Sequence, residues 1–201
     1  MIKLDNLGGY KRGRLWINDF PGFESKIIDT IHRTFVGAKE IPRCNKSVVL
    51  EILLPRNASN YALLGATFIP LVGGTLDVKI NIGVHDDAVL KDNIAFTSDE
   101  VHVGIPKEYA FAVMDSVAET LDDSEFPPGI LFFDVGAHSD VGSSRMIFSR
   151  VTKILIKIIF NNILELSEDE LKKLIALELK YILITVNLRT NSQYFKITYK
   201  I

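Results

Sequence analysis

Two strand-to-helix junctions constrain this chain more than any other feature. In the first, Val101, Val103 and Ile105 alternate with His102 and Gly104 and run into Pro106. A proline fits the first turn of a helix, where its missing N–H costs nothing. Beyond it Ala110, Val113, Val117 and Leu121 recur at three- and four-residue spacing, one apolar stripe on a helix. In the second, Gly129 to Val135 (GILFFDV) reads as a strand and residues 136–142 as a tight loop. Ser143 or Ser144 then caps a helix whose broad apolar face carries Met146, Ile147, Val151, Ile154, Leu155 and Ile158.

The segments ahead of these junctions supply more strands. Ser47 to Leu54 (SVVLEILL) is β-branched and aliphatic, and Tyr61 to Val72 follows as a second strand. In Thr75–Ile82, Leu76, Val78, Ile80 and Ile82 alternate with Thr75, Asp77, Lys79 and Asn81, the pattern of a half-buried strand. Gly73-Gly74 predicts a tight hairpin joining these two strands across residues 61–82. Phe23, Ile27, Ile28, Ile31 and Phe35 predict a short helix ended by Gly37, with Pro42 and Arg43 in a connection. Residues 83–100 read as a loop, with at most one short strand around Ile94 to Phe96. Ser167-Glu168-Asp169-Glu170 is a capping-box signature that opens a third helix through Leu171, Leu174, Ile175, Leu177 and Leu179. Residues 182–188 and 193–199 read as closing strands, with Asn191 in the turn. The order predicts an α+β two-layer sandwich with a mixed sheet and helices packed on one face. A parallel pair joined by the 106–121 helix is its expected centre.

Composition narrows the function classes. The net charge of −2 disfavours a chain built for generic phosphate attraction. Cys44 is the single cysteine, so no intrachain disulfide can form, and cytoplasmic residence is expected. No base accompanies Cys44 locally, and it reads as an inert thiol after a proline turn. Charges at Lys3, Asp5, Lys11, Arg12, Arg14 and Asp19 rule against an N-terminal signal peptide. The Gly-rich, basic start reads as a lead-in anchored by Trp16 and Phe20, with an arm against a polyanion as the alternative. Lys157, Asn161 and Asn162 interrupt the most apolar stretch, whereas a spanning helix needs about 18 nearly uninterrupted apolar residues, so no membrane partner is expected.

The stretch from about Gly74 to Phe160 resembles the fourth domain of elongation factor G. That family has a strand, an Ile-Pro-Lys/Glu-Glu-Tyr turn and a helix with an Ala-Val step; here stand Ile105-Pro106-Lys107-Glu108-Tyr109 and Ala112-Val113. The family's Gly-x-x-His-x-Val-Asp-Ser-Ser-x-Met-Ala-Phe run is answered by the residues from Gly136 to Phe148, with the histidine displaced by one position and Gly142 in place of the aspartate. The resemblance implies a split β-α-β core and divides the chain into residues 1–73, 74–160 and 161–201. It also implies a tip loop, 136–144, that approaches RNA through His138, Ser139, Asp140, Ser143, Ser144 and Arg145. No Gly-x-x-x-x-Gly-Lys-Ser/Thr run accompanies it, so no GTPase domain is expected.

Catalytic and metal assignments find little support in the spacing. Asp134, His138, Asp140, Ser143 and Ser144 include the residue types of a hydrolase or a metal site, but one histidine and two carboxylates in a loop do not make one. The Ser-Ser pair reads as helix capping. His32, His85 and His102 are scattered, without metal-ligand spacing, and the Asp86-Asp87 and Asp122-Asp123 pairs read as solvated turns. Lys107, Arg150, Lys153 and Lys157 read as solubilising surface. No catalytic residue, metal or cofactor is assigned. The first reading is a non-enzymatic binding protein that contacts a ribosome, structured RNA or a protein partner through loop 136–144. The second is a structural or assembly protein that has lost RNA binding and partners with itself; the third is a small enzyme.

Overall fold

The computed structural model describes residues 1–5, 7–20, 22–37, 45–55, 59–121, 126–160, 166–180, 184–190 and 193–199. In chain order the elements are β1 (Ile2–Leu4), β2 (Arg12–Ile17), β3 (Ile27–Val36), β4 (Lys46–Pro55), β5 (Ser59–Pro70), β6 (Thr75–Gly83), β7 (Val101–Val103), α1 (Lys107–Leu121), β8 (Gly129–Ser139), α2 (Arg145–Phe160), α3 (Glu168–Lys180), β9 (Ile184–Thr190) and β10 (Gln193–Tyr199). An eight-stranded mixed sheet runs β1-β2-β4-β5-β8-β6-β3, with β7 paired to β8 off this path. β9 and β10 pair with each other in a two-stranded sheet. The fold is the α+β sandwich that the sequence predicts. Cys44, Pro42, Arg43, Asn191 and the Asp122-Asp123 pair lie outside the described residues.

The helices form one layer over the sheet. α1 buries Ala110, Val113, Val117 and Leu121, the predicted stripe. α2 buries Ile147, Val151, Ile154, Leu155 and Ile158, while Met146 points outward. These side chains meet Leu50, Ile52, Leu64, Phe68, Leu76, Val78, Ile80, Leu131 and Phe133 from the strands in the main core. Burying one such side chain contributes roughly 1.5–3 kcal/mol, and this is what holds helix layer to sheet. α3 adds Leu171, Ile175 and Leu179, and its predicted capping box forms: the Glu170 carboxylate accepts from Ser167 N at 2.8 Å, and Glu170 N donates to Ser167 Oγ at 3.4 Å. Leu177 stays exposed. No helix among the described residues is long and apolar enough to cross a membrane.

The other face of the sheet carries a smaller core under the β6–β7 connection. Trp16, Val49, Leu53, Tyr61, Leu63, Val101 and Ala137 pack there against Phe20, Leu90 and Ile94. A buried carboxylate pins this connection. Glu51, fully buried, accepts from Arg14 Nε at 2.5 Å, the Tyr61 hydroxyl at 2.7 Å and Ile94 N at 3.0 Å. Arg14 also donates to the carboxylate and carbonyl of Asp92 at 2.7 and 2.9 Å. The cation answers the cost of burying Glu51, and the connection is tied to the sheet at residues 92–94.

Two expectations need correction. Residues 27–36 form a strand and not a helix. Ile27, Ile31 and Phe35 are four apart, a spacing that suits a helix but is also an even number, so it suits one side of a strand. The β-branched Ile27, Ile28, Thr30, Ile31, Thr34 and Val36 decide the matter. Residues 61–82 are not a hairpin: β8 lies between β5 and β6, antiparallel to the first and parallel to the second. The helix α1 therefore does lie in a crossover between parallel strands, but these are β6 and β8. β7 pairs antiparallel with the end of β8. The β6–β7 connection is the loop that the sequence predicts, without the alternative short strand at 94–96, and carries an isolated bridge between Val89 and His102.

Candidate metal centre

β8 runs on past Val135 to Ser139, so the expected tip loop starts as strand. Its last rungs pair Val101 with Ser139 and His102 with His138. Direct cross-strand partners have Cβ atoms about 5 Å apart, and the two imidazoles share one face of the sheet. Ring centroids are 6.1 Å apart. Residues 88–90 run along the outside of β7, with Leu90 N donating to Val101 O and Val103 N to Ala88 O, which carries His85 over the same spot. The His85 and His138 rings meet edge to face at 4.7 Å. Asp140 follows in the turn, held by its N–H on the Glu100 carbonyl at 3.2 Å.

Two glycines permit this approach. A Cβ on Gly136 would lie 2.2 Å from Ile105 Cγ1. Gly104 has φ +98, the region that favours glycine, and its N–H donates to Gly136 O at 2.6 Å. Tyr109 lies beside the cluster, its ring 5.9 Å from His138 and stacked on Phe148 at 4.6 Å. Burial first, then Glu108, pushes the Tyr109 phenol up to about 12.

Each of the three imidazoles has Nδ1 against an oxygen acceptor: His138 on the Gly104 carbonyl at 3.3 Å, His102 on the Asp87 carbonyl at 2.8 Å, and His85 on the Asp86 carboxylate at 3.1 Å. Nδ1–H donation leaves the lone pair on Nε2, the tautomer that a metal takes. His138 is fully buried, and among the described residues its Nε2 has no hydrogen-bond partner. Burial chiefly, with His85 and His102 adding repulsion, holds His138 down to about 4. His102 is raised, first by the Asp87 carbonyl that accepts from it and then by Asp140, Glu100 and Asp86. Ligand atoms of His85, His138 and Asp140 lie within 4.8 Å of one another, as do those of Glu100, His102 and Asp140. A cavity of about 470 Å³, bordered by Leu90, Phe96, Thr97, Ser98 and Glu100, opens alongside.

The residues expected on an exposed tip are thus divided, and His138 and Ser139 are corrected to buried strand positions. Ser139 Oγ accepts from Gly142 N at 2.8 Å, and Ser143 Oγ donates to the Tyr61 carbonyl at 2.6 Å, so both hold the turn. Ser144 Oγ accepts from Ile147 N at 3.4 Å as the N-cap of α2. Arg145 is exposed and pairs with Asp115 at 3.3 Å. Lys153 and Lys157 pair with Glu119 and Glu178. Asp134 lies on β8 upstream of the cluster, and His32 sits on β3 near Asp77 at 3.6 Å. His85, His102 and Glu100 carry no local signal; only the register of β7 on β8 brings them to His138. No protein-family model, no curated protein and no solved structure matches this chain.

Proposed function

We propose that this protein binds a divalent transition-metal ion through His85, His138 and Asp140. The observation that carries the reading is the buried Nε2 of His138, unpartnered among the described residues and held in aim by its Nδ1 contact to Gly104. An unpaired buried acceptor costs roughly 1–3 kcal/mol, which a ligated ion would relieve. His85 and Asp140 are half-exposed, which leaves their side chains room to turn toward His138. Two imidazoles and one carboxylate suit zinc, cobalt, nickel or iron better than calcium or magnesium, which prefer all-oxygen shells. The carboxylates of Asp86, Asp87, Asp99, Glu100 and Asp140 near the loop favour a cation over an RNA phosphate.

Chelator-stripped protein is the starting point of the test. Zinc and cobalt should raise its melting temperature and magnesium should not, and cobalt should give d–d absorption bands. His85→Ala and His138→Ala should each diminish both effects. Absence of any zinc response, or an undiminished response in both variants, would overturn the reading.

Self-association is a second reading, favoured by β3. Among the described residues it is an edge strand, paired on one side with β6. An antiparallel pairing of two copies centred on Ile31 sets Asp29 of each opposite Arg33 of the other, within the regular part of β3 that starts after the irregularity between Ile27 and Asp29. Opposite charges on facing rungs stabilise a register. Light scattering should find a dimer that Arg33→Asp dissociates and Asp29→Arg with Arg33→Asp restores; a monomer throughout would refute it.

A further inference from the structure

We infer that the centre takes a second divalent ion at Glu100, His102 and Asp140, with Asp140 bridging the two. This rests on the reading that the first ion binds at His85 and His138. His102 Nε2 stands 3.2 Å from Glu100 Oε1 and 3.6 Å from Asp140 Oδ2. Four ligands placed about 2.1 Å around a zinc-like ion are separated by edges of about 3.4 Å, so these two separations already match those of a ligand shell. The outer shell matches as well. His102 Nδ1 contacts the Asp87 carbonyl as His138 Nδ1 contacts that of Gly104. The Asp87 carboxylate is itself fixed by the N–H groups of Lys26 and Ala88 at 2.5 and 2.8 Å. Such backing fixes ring orientation and is what a ligating imidazole needs.

Asp140 is the residue common to both triads. A carboxylate has two oxygens and can give one to each ion, which brings the ions close enough to act on one bound group. Glu100 is 62% exposed and borders the cavity of about 470 Å³, so this member of the triad is within reach of a small ligand. A salt bridge between a protonated His102 and the two carboxylates is the competing account of the same distances.

Stoichiometry separates these accounts. Chelator-stripped full-length protein is titrated with zinc by calorimetry, and bound metal is counted by elemental analysis after desalting. Two ions per chain are expected. Glu100→Gln, at an exposed position where folding is not at risk, should leave one, and so should His85→Ala. Asp140→Asn should weaken both. Manganese in the native protein should give an exchange-coupled paramagnetic resonance spectrum, which two unbridged ions would not. One ion in the native protein, with Glu100→Gln indistinguishable from it, overturns the second position and leaves the first reading standing. No ion at all overturns both. Two ions with loss of only one in Asp140→Asn overturns the bridge.

Discussion

His138 offers the sharpest test of the site without any metal present. Its imidazole is buried among His85, His102 and Tyr109 and titrates at about 4, against the ordinary 6.5. Between these values the unfolded chain binds a proton that the folded chain refuses. Stability therefore rises with pH through that window; the penalty is absent above about pH 6.5 and complete below about pH 4. Its full size is about 3 kcal/mol, and at about pH 5 it is about 2 kcal/mol. Replacing His138 by Leu removes the titrating group while keeping most of the volume. It also forfeits the 3.3 Å contact to Gly104, but that loss is the same at every pH. His85, His102 and Asp140 face the position and remain in the variant. Urea unfolding of chelator-treated protein should show the variant gaining about 2 kcal/mol on the native chain between about pH 7.5 and about pH 5, equivalent to roughly 4–8 °C in melting temperature. Parallel losses of stability in the two proteins would mean that His138 is not held neutral by burial, and the ligand argument would lose its foundation.

Other perturbations test the frame around the site. Arg14→Leu strands the buried Glu51 carboxylate and should cost about 3–5 kcal/mol in urea unfolding, and adding Glu51→Gln should recover part of it, because the two residues act as one unit. Gly136→Ala drives a methyl into Ile105 and should lower stability by about 1–3 kcal/mol, read by thermal unfolding, with weaker zinc binding because β7 shifts. Ser144→Ala removes the cap of α2 and should cost about 1 kcal/mol without changing metal response.

The helix layer was legible because each helix carries its own signals. Pro106, Ser144 and the Ser167–Glu170 box mark starts, and the stripe from Ala110 to Leu121 marks a buried face; all are local in the chain. Strands β4, β5, β6 and β8 were legible as elements for the same reason. Their neighbours were not. Gly73-Gly74 permits a tight turn, yet neither glycine adopts positive φ, and β5 and β6 are parted by β8. Burial of Leu131 and Phe133 in the main core outweighs the shorter connection. In β3 the ambiguity was arithmetic: a four-residue apolar spacing belongs to both periods.

The site was hidden by the same separation between local pattern and pairing. Short-range ligand motifs place metal ligands within one turn of helix or one loop, and no such spacing links His85, His102 and His138. They meet because β7 lies antiparallel on the last rungs of β8 and residues 88–90 lie beside β7. Reading β7, α1 and β8 as a simple parallel unit would put Val101 beside the start of β8 and leave His102 far from His138. The observed direction instead places them on one rung. β8 must also outrun β6 for this to happen: β6 pairs with it only as far as Phe133. The protruding end is what β7 covers, and covering it buries His138 with one nitrogen satisfied and the other without a partner among the described residues. A fold that needed only a packed residue there would be served by leucine or phenylalanine. An imidazole whose second nitrogen is unmatched among the described residues, beside two more imidazoles with Nδ1 against oxygen acceptors, is a cost to stability that the proposed ion would relieve.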